Sequence, residues 1–540
     1  MTRTNPWLAV LWLTLTGAAI AARPLLPVDE TRYLAAAWEM WLRGDFLVPH
    51  LNGETYSHKP PLLFWAMHLG WAVFGVNDWW PRLVAPLFGL AALLLTVRLG
   101  RQLWPDRPDA GVLAGLITLG ALFWTLFTTM TMFDMLHACF AVAALSGLVT
   151  AARGRLLRGL ALFGLAIGLG VLGKGPAILV HVLPAGLLAP LWAPAIGASP
   201  EWKRWYAGVL GGVLLGAAIG LAWAIPAGIA GGEAYRNAIF WGQSAGRMVD
   251  SFAHGRPFWW FAAILPGMVL PWAVWPAGWR AVRHQAAALA RDGGTRLCLI
   301  WFAAAFLAFS AISGKQPHYL IPEFPALALI LARAVSGAAA EAEGAFWRRQ
   351  DAWVPAGLFL VLAAVIAGAF HFDLKPAWAT TPGDGALWPL AALAAAAIGY
   401  LWRPGGTAPA RIAGLTGLSV VFAIALHLTL RPILMDAYNL RPMAETLKSF
   451  EDQGYRFVTF GDYHGEFHFL GRLTRPWDVV DGPVNLEKWL AGKDRAIVVD
   501  LMEDDPAATG PVAVSRYRGR WQAAWMPDRY PLRLPPDRRP

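Results

Sequence analysis

The stretch Leu160-Ala-Leu-Phe-Gly-Leu-Ala-Ile-Gly-Leu-Gly-Val-Leu172 is followed by Gly173-Lys-Gly-Pro176 and then by a second apolar run that reaches Leu191. With their flanks, runs of this kind are about 17 to 22 residues long, enough to cross a bilayer as helices. The turn between them carries Lys174 with no carboxylate nearby in sequence. An ionisable side chain at membrane depth is costly and functional by default, although a lysine snorkelling to the interface would also account for it.

Working outward, thirteen such runs recur, with approximate cores Pro6 to Ala22, Arg82 to Leu99, Gly111 to Phe127, Phe133 to Val149, Leu160 to Leu172, Pro176 to Leu191, Ala207 to Pro226, Phe258 to Trp275, Leu297 to Ile312, Tyr319 to Leu331, Trp353 to Ala369, Leu387 to Leu401 and Ile412 to Leu430. The 540 residues are 57% hydrophobic and 15% charged, against roughly 25% charged in a soluble domain. That composition excludes a soluble protein. The two cysteines, Cys139 and Cys298, lie inside apolar runs, which excludes a disulfide scaffold and a cysteine metal site. Thirty tryptophans cluster at the ends of the runs, as expected of rings anchored at a membrane interface.

The formal charge of +10 raises the question of a nucleic-acid partner, and its distribution answers it. With the N-terminus inside, alternate loops carry Arg3; Arg98, Arg101 and Arg107; Arg153, Arg155 and Arg158; Lys203 and Arg204; Arg280, Arg283, Arg291 and Arg296; Arg333, Arg348 and Arg349; and Arg403 and Arg411. Those 18 basic residues face seven acidic ones in the same loops, a net of +11 on one side. The excess is a topology signal of the positive-inside kind, so no nucleic-acid partner is expected. The N-terminal run, with Arg3 before it and small residues at Ala19 to Ala22, is open to a second reading as a cleaved signal peptide.

Residues 1–430 therefore read as a membrane domain and 431–540 as an external domain. In the latter, Arg456-Phe-Val-Thr-Phe460 and Arg495-Ala-Ile-Val-Val-Asp500 have the pattern of strands, which predicts a small α/β fold.

The first external loop, 23–81, is long and dense in polar groups, and such loops are where function concentrates. Tyr33, Leu34, Ala37, Trp38, Trp41 and Leu42 fall on one helical face, predicting a helix in the interface. A second is expected to open at Pro60 or Pro61. Together they would hold Asp29-Glu30 and His58-Lys59 at the membrane surface, facing lipid headgroups. External ends of other runs add Asp134, Lys174, and Lys315 with His318 and Tyr319; the loop before Phe258 adds Arg236, Gln243, Arg247, His254 and Arg256. Lysines and arginines gathered at one end of a bundle suit a lipid-linked phosphate, whose departure is helped by neutralised charge. A carboxylate would orient or deprotonate the acceptor.

These residues carry a resemblance. Arg23-Pro-Leu-Leu-Pro-Val-Asp-Glu-Thr-Arg-Tyr33, Gly44-Asp-Phe-Leu-Val-Pro49 and His58-Lys-Pro-Pro61 resemble the first loop of bacterial transferases related to the aminoarabinose lipid A transferase. That group stands with the dolichyl-phosphate-mannose protein mannosyltransferases in the glycosyltransferase C superfold. Leu172-Gly-Lys-Gly-Pro176, His254-Gly-Arg-Pro-Phe-Trp259 with Leu270-Pro-Trp272, and Lys315-Gln-Pro-His-Tyr-Leu-Ile-Pro322 are similar to later motifs in the same order. The resemblance covers about Arg23 to Pro325.

It implies an α-helical integral membrane protein, a glycosyltransferase C type bundle of about 13 transmembrane helices with interfacial helices in the first loop and a small C-terminal α/β domain. It implies Asp29 and Glu30 as catalytic acids, with Arg32, Tyr33, Lys59, Asp134, Lys174, Arg247, Arg256, Lys315 and Tyr319 binding donor phosphate and substrate. The family usually has Glu before the Lys-Pro pair, where this chain has His58; in relatives that position, with the histidine matching His254, can hold a divalent metal, Zn or Mg/Mn, and imidazole is also a competent ligand. The implied reaction is single-step, inverting transfer of a sugar from undecaprenyl phosphate, at the outer side of the bacterial inner membrane, to lipid A or another envelope glycan. Transfer to protein Ser or Thr, a lipid-linked sugar flippase, and a glycan-binding protein working through its tail are the competing readings. Charges at the outer end rather than the midplane weigh against the flippase.

Overall fold

The computed structural model describes residues 6–241, 255–341, 346–374, 384–402 and 407–531. The chain forms two compact units: Met1–Ala21, Ser57–Ala367 and Trp388–His427 make the first, and Ala22–Tyr56, Gly368–Leu387 and Leu428–Pro540 the second. The helices in chain order begin α1 (Pro6–Ala22), α2 (Asp29–Arg43), α3 (Leu62–Phe74), α4 (Trp79–Leu103), α5 (Pro108–Gly120), α6 (Leu122–Phe127), α7 (Asp134–Ala152), α8 (Leu156–Lys174) and α9 (Ile178–Leu187). Of these, α2 belongs to the second unit.

The first unit is a helical bundle. Among the described residues, eight helices are long and apolar enough to span a membrane; α9 with Ala189–Ile196, bent by 60°, would make a ninth. Pro6–Ala22, Leu62–Phe74, Pro108–Gly120 and Trp388–Trp402 are shorter apolar helices. The chain is a multi-pass membrane protein. The run Phe258 to Trp275 departs from its expected form: it gives a nine-residue helix, Trp260–Met268, and a separate 3-10 turn at Trp272–Val274. Pro271 supplies no N–H to continue the first helix and Pro276 opens a new one. α3 opens after Pro61, as expected, but as one of the apolar helices of the bundle, with Phe64, Met67 and Trp71 buried.

Helix α7 runs almost wholly buried through this unit. It meets α8 backbone to backbone, because a Cβ on Gly159 would lie 2.3 Å from Ala151 N and one on Gly147 2.7 Å from Gly159 O, the small-residue packing of membrane helices. Three loops assigned to one side by charge do meet. Arg280 holds Asp351 with two bonds of 2.6 Å, Trp104 Nε1 donates to Asp292 at 2.9 Å, and Ser336 donates to Asp109 at 2.6 Å.

The second unit is α/β. β1 (His50–Leu51) and β2 (Glu54–Thr55) form a hairpin whose turn residues Asn52 and Gly53 have φ of 54° and 88°, the backbone an Asn-Gly turn accommodates. β3 (Arg456–Phe460), β4 (Asp478–Val480), β5 (Ala496–Met502), β6 (Ala513–Tyr517) and β7 (Arg520–Trp525) make one sheet in the order β4-β3-β5-β7-β6. β3, β4 and β5 run parallel, and β7 pairs antiparallel with β5 and β6. Both strands read from the sequence are present, at β3 and β5.

The apolar face of α2 is covered by protein. Tyr33, Leu34, Ala37 and Trp38 are buried against the C-terminal segment, with Trp38 Nε1 donating to Leu473 O at 2.8 Å and Asn52 exchanging two bonds with Trp477. Leu42 on that face remains exposed. Gly44 ends the helix at φ 66°, returning its N–H to Trp41 O.

His468 lies buried in this unit. Its Nε2 donates to Arg475 O at 3.1 Å, which leaves Nδ1 to accept from Tyr463 Oη at 2.8 Å. Burial holds its pKa below the ordinary imidazole value, against the opposing pull of the Arg475 carbonyl, Glu39 and Glu451. A depressed folded-state pKa gives stability that is present above about pH 6.5 and lost as pH falls below it. Burial pushes the Glu466 carboxyl up, which acts with the opposite sign. The His468 contribution is therefore read as a difference: between pH 7.5 and 5, wild type is expected to lose more thermal stability than His468→Gln. Parallel pH profiles for the two proteins would contradict this.

Candidate active site

The predicted site residues fall into two groups, one in each unit. In the second unit the chain turns through Pro24 and Pro27 into α2, whose first turn holds both acids, where the helix dipole favours negative charge. The neighbouring carboxylates have different environments. Glu30 is buried and bound by Arg23, with Arg23 Nη2 to Oε1 at 2.9 Å, and Leu26 N–H donates to Oε2 at 2.9 Å. The side chains of Arg23 and Glu30 are 2% and 1% exposed. Glu30 thus ties the entry turn to the helix. Asp29 is 46% exposed in its side chain. Its Oδ1 takes a bond from Arg32 and one from Tyr33 Oη at 3.2 Å, and the Arg32 guanidinium lies 5.6 Å from the Tyr33 ring centroid. Asp29 is thus the more exposed of the two acids, held by Arg32 and Tyr33.

In the first unit, α7 begins at Asp134, which is 2% exposed and ion-paired with Lys174 at the end of α8. Lys174 Nζ also lies 5.1 Å from the Tyr319 ring centroid. Lys59 Nζ sits 5.5 Å from the ring of Phe133, and Lys59 and His318 are within electrostatic range of Asp134. One carboxylate therefore has two ammonium groups within electrostatic range at the ends of two spans. The lysine is not merely snorkelling.

Lys315 is placed otherwise. Its ammonium donates to Arg256 O at 2.9 Å and to Ile312 O, beside a bridge between Gly255 and Gly314. It staples main chain to main chain and leaves the Arg256 guanidinium, 6.0 Å from the Trp260 ring, on an exposed residue. Arg247 and His254 lie outside the described residues. Among the described residues no three His, Cys, Asp or Glu side chains are placed to hold a metal. An apolar cavity of about 380 Å³ lies in this unit, lined by Ile117, Leu265, Trp272, Trp279, Phe324 and Leu331 among others.

Residues 58–227 match the family model described as dolichyl-phosphate-mannose-protein mannosyltransferase. Two relatives carry the description undecaprenyl phosphate-alpha-4-amino-4-deoxy-L-arabinose arabinosyl transferase. The one from Enterobacter sp. is 31% identical over 58% of this chain and 55% of its own; that from Edwardsiella ictaluri is 32% identical over 60% and 58%. The chain thus spans little more than half the length of these relatives. The crystal structure of ArnT from Cupriavidus metallidurans bound to undecaprenyl phosphate superimposes with a TM-score of 0.76 over 97% of this chain and 98% of that one, at 20% identity. The chain shares that fold. The likeness extends through the tail, to which the motif resemblance did not reach.

Arg23 was quoted in the first motif without a role. Its signal was a basic residue seven positions before an acid across a proline turn, too common a pattern to single out. His181 and Glu323, buried at 1% each, each sit alone in an apolar run, where the sequence carries no signal that they meet.

Proposed function

We propose that the chain is a bacterial inner-membrane glycosyltransferase that moves a sugar from undecaprenyl phosphate to lipid A on the outer side. The observation carrying this reading is the gathering of the Lys59 and Lys174 ammonium groups about Asp134 at the ends of two spans. It suits a donor phosphate, and the apolar cavity in the same unit suits a long lipid. The name of these relatives makes 4-amino-4-deoxy-L-arabinose the first sugar to test. In the reaction, an acceptor oxygen forms a bond to the anomeric carbon as the bond to the phosphate oxygen breaks. Lys59 and Lys174 stabilise the charge left on undecaprenyl phosphate. Asp29, steadied by Arg32 and Tyr33, orients the acceptor and takes its proton when it has one. A single displacement inverts the anomeric configuration.

The test is transfer by full-length protein in lipid nanodiscs, with a panel of undecaprenyl-phosphate sugars offered lipid A and a Ser/Thr peptide. A mass gain on lipid A with inverted configuration by NMR is expected. A gain on the peptide alone would move the acceptor to protein hydroxyls. No donor consumption across the panel would overturn the reading.

A further inference from the structure

The first unit buries an ionisable pair that the transfer mechanism does not use. His181, on α9, bonds through Nδ1 to Oε1 of Glu323, the last residue of the 3-10 helix Pro317–Glu323. Both are 1% exposed. A bundle gains little stability from such a pair, since apolar side chains of similar size would pack as well. What a directional bond adds is a defined spacing between the two segments that carry it.

Those segments are the ones that present the phosphate-binding groups. Lys174 stands seven residues before His181, across a turn in which Gly175 has φ 86°; Tyr319 stands four residues before Glu323. Lys174 rests 5.1 Å from the Tyr319 ring. The Phe309 ring lies between the two contacts, 5.7 Å from Tyr319 and 5.2 Å from His181. The His137 ring closes the other side of His181 at 5.0 Å. Lys174 with Tyr319 and His181 with Glu323 are thus two rungs across one pair of segments, joined through Phe309.

We propose that the His181–Glu323 bond is a positioning clamp that sets Lys174 against Tyr319 for binding the donor phosphate; this rests on the donor reading above. Through the clamp, the turn Gly173–Pro176 is held from below while its lysine remains at the surface of the site. Neither residue touches the phosphate, so both act through Lys174 and Tyr319.

The test compares His181→Phe, which keeps a ring against His137 and Phe309 but removes the bond, with Glu323→Gln, which keeps an acceptor for Nδ1–H. Full-length proteins in nanodiscs are assayed for undecaprenyl phosphate binding and for hydrogen exchange over 172–181 and 315–323. His181→Phe is expected to weaken binding at least about tenfold and to speed exchange in both segments; Glu323→Gln should stay within about twofold of wild type on both. A merely structural pair would lower yield and melting temperature while leaving affinity per folded molecule unchanged, and that result overturns the proposal. If His181→Phe does not fold, His181→Phe/Glu323→Leu, which removes both polar groups, replaces it with the same expectations. If wild type binds no undecaprenyl phosphate, the donor reading fails, and the exchange comparison alone decides the clamp: unchanged exchange overturns it.

Discussion

Asp29→Asn is expected to lower kcat for transfer by about 10²- to 10⁴-fold, the range of a lost general base, with undecaprenyl phosphate binding unchanged within about threefold. The split follows from the geometry. Asn keeps an oxygen for Tyr33 Oη and the size of the side chain, and it loses only the charge. The Asp29–Arg32 pair is partly exposed, at 46% and 23%, and pairs of that kind contribute about 0–1 kcal/mol, so folding should be little affected. The size of the loss also reports on the acceptor. A phosphate on lipid A is already deprotonated and needs orientation more than proton removal, placing the expected loss at the lower end; a Ser or Thr hydroxyl would place it at the upper end. Steady-state kinetics with each acceptor, alongside a melting curve, checks the prediction. Full activity in Asp29→Asn would remove Asp29 from the mechanism and reopen the reading of the tail as the working part.

Much of this site was legible because its residues interrupt strong patterns. Lys174 stands out between two apolar runs, and Asp134 opens a third; each alone signals cost without partner. That they pair, 40 positions apart, is set by how α7 and α8 cross, and one sequence does not encode that crossing in any local period. The same limit governs α2. Its stripe of Tyr33, Leu34, Ala37 and Trp38 says that one face leaves water, and an amphipathic pattern is equally satisfied by lipid and by protein; the structure fills it with Leu473 and its neighbours. The strands β3 and β5 were legible from alternation, whereas β4, three residues long, is too short to show a period. In the run Phe258 to Trp275 mean apolarity suggested a span, and the prolines that divide it were outweighed. Glu30 and Asp29 illustrate the sharpest limit. Adjacent and alike in sequence, they differ in burial and in partners, Glu30 bound by Arg23 and Asp29 by Arg32 and Tyr33.

Lys174→Met is expected to produce two losses that a second substitution can separate. Removing the ammonium leaves Asp134 at 2% exposure without its ion-pair partner, and breaking a buried pair by removing one side costs about 3–5 kcal/mol. The variant should therefore melt well below wild type. It should also bind undecaprenyl phosphate about 10- to 100-fold more weakly, the equivalent of one charged hydrogen bond. Lys174→Met/Asp134→Asn removes the stranded charge and is expected to recover most of the melting temperature, because replacing both members of a buried pair is far less costly than replacing one. It should not recover donor binding, since the Lys174 ammonium that would bond the phosphate is still missing. If the double variant binds and transfers as wild type does, Lys174 serves only to neutralise Asp134, and the anion site would rest on Lys59 and Arg256. If stability returns and binding does not, the pair has two separable functions: the carboxylate holds the lysine at the end of α8, and the lysine holds the phosphate.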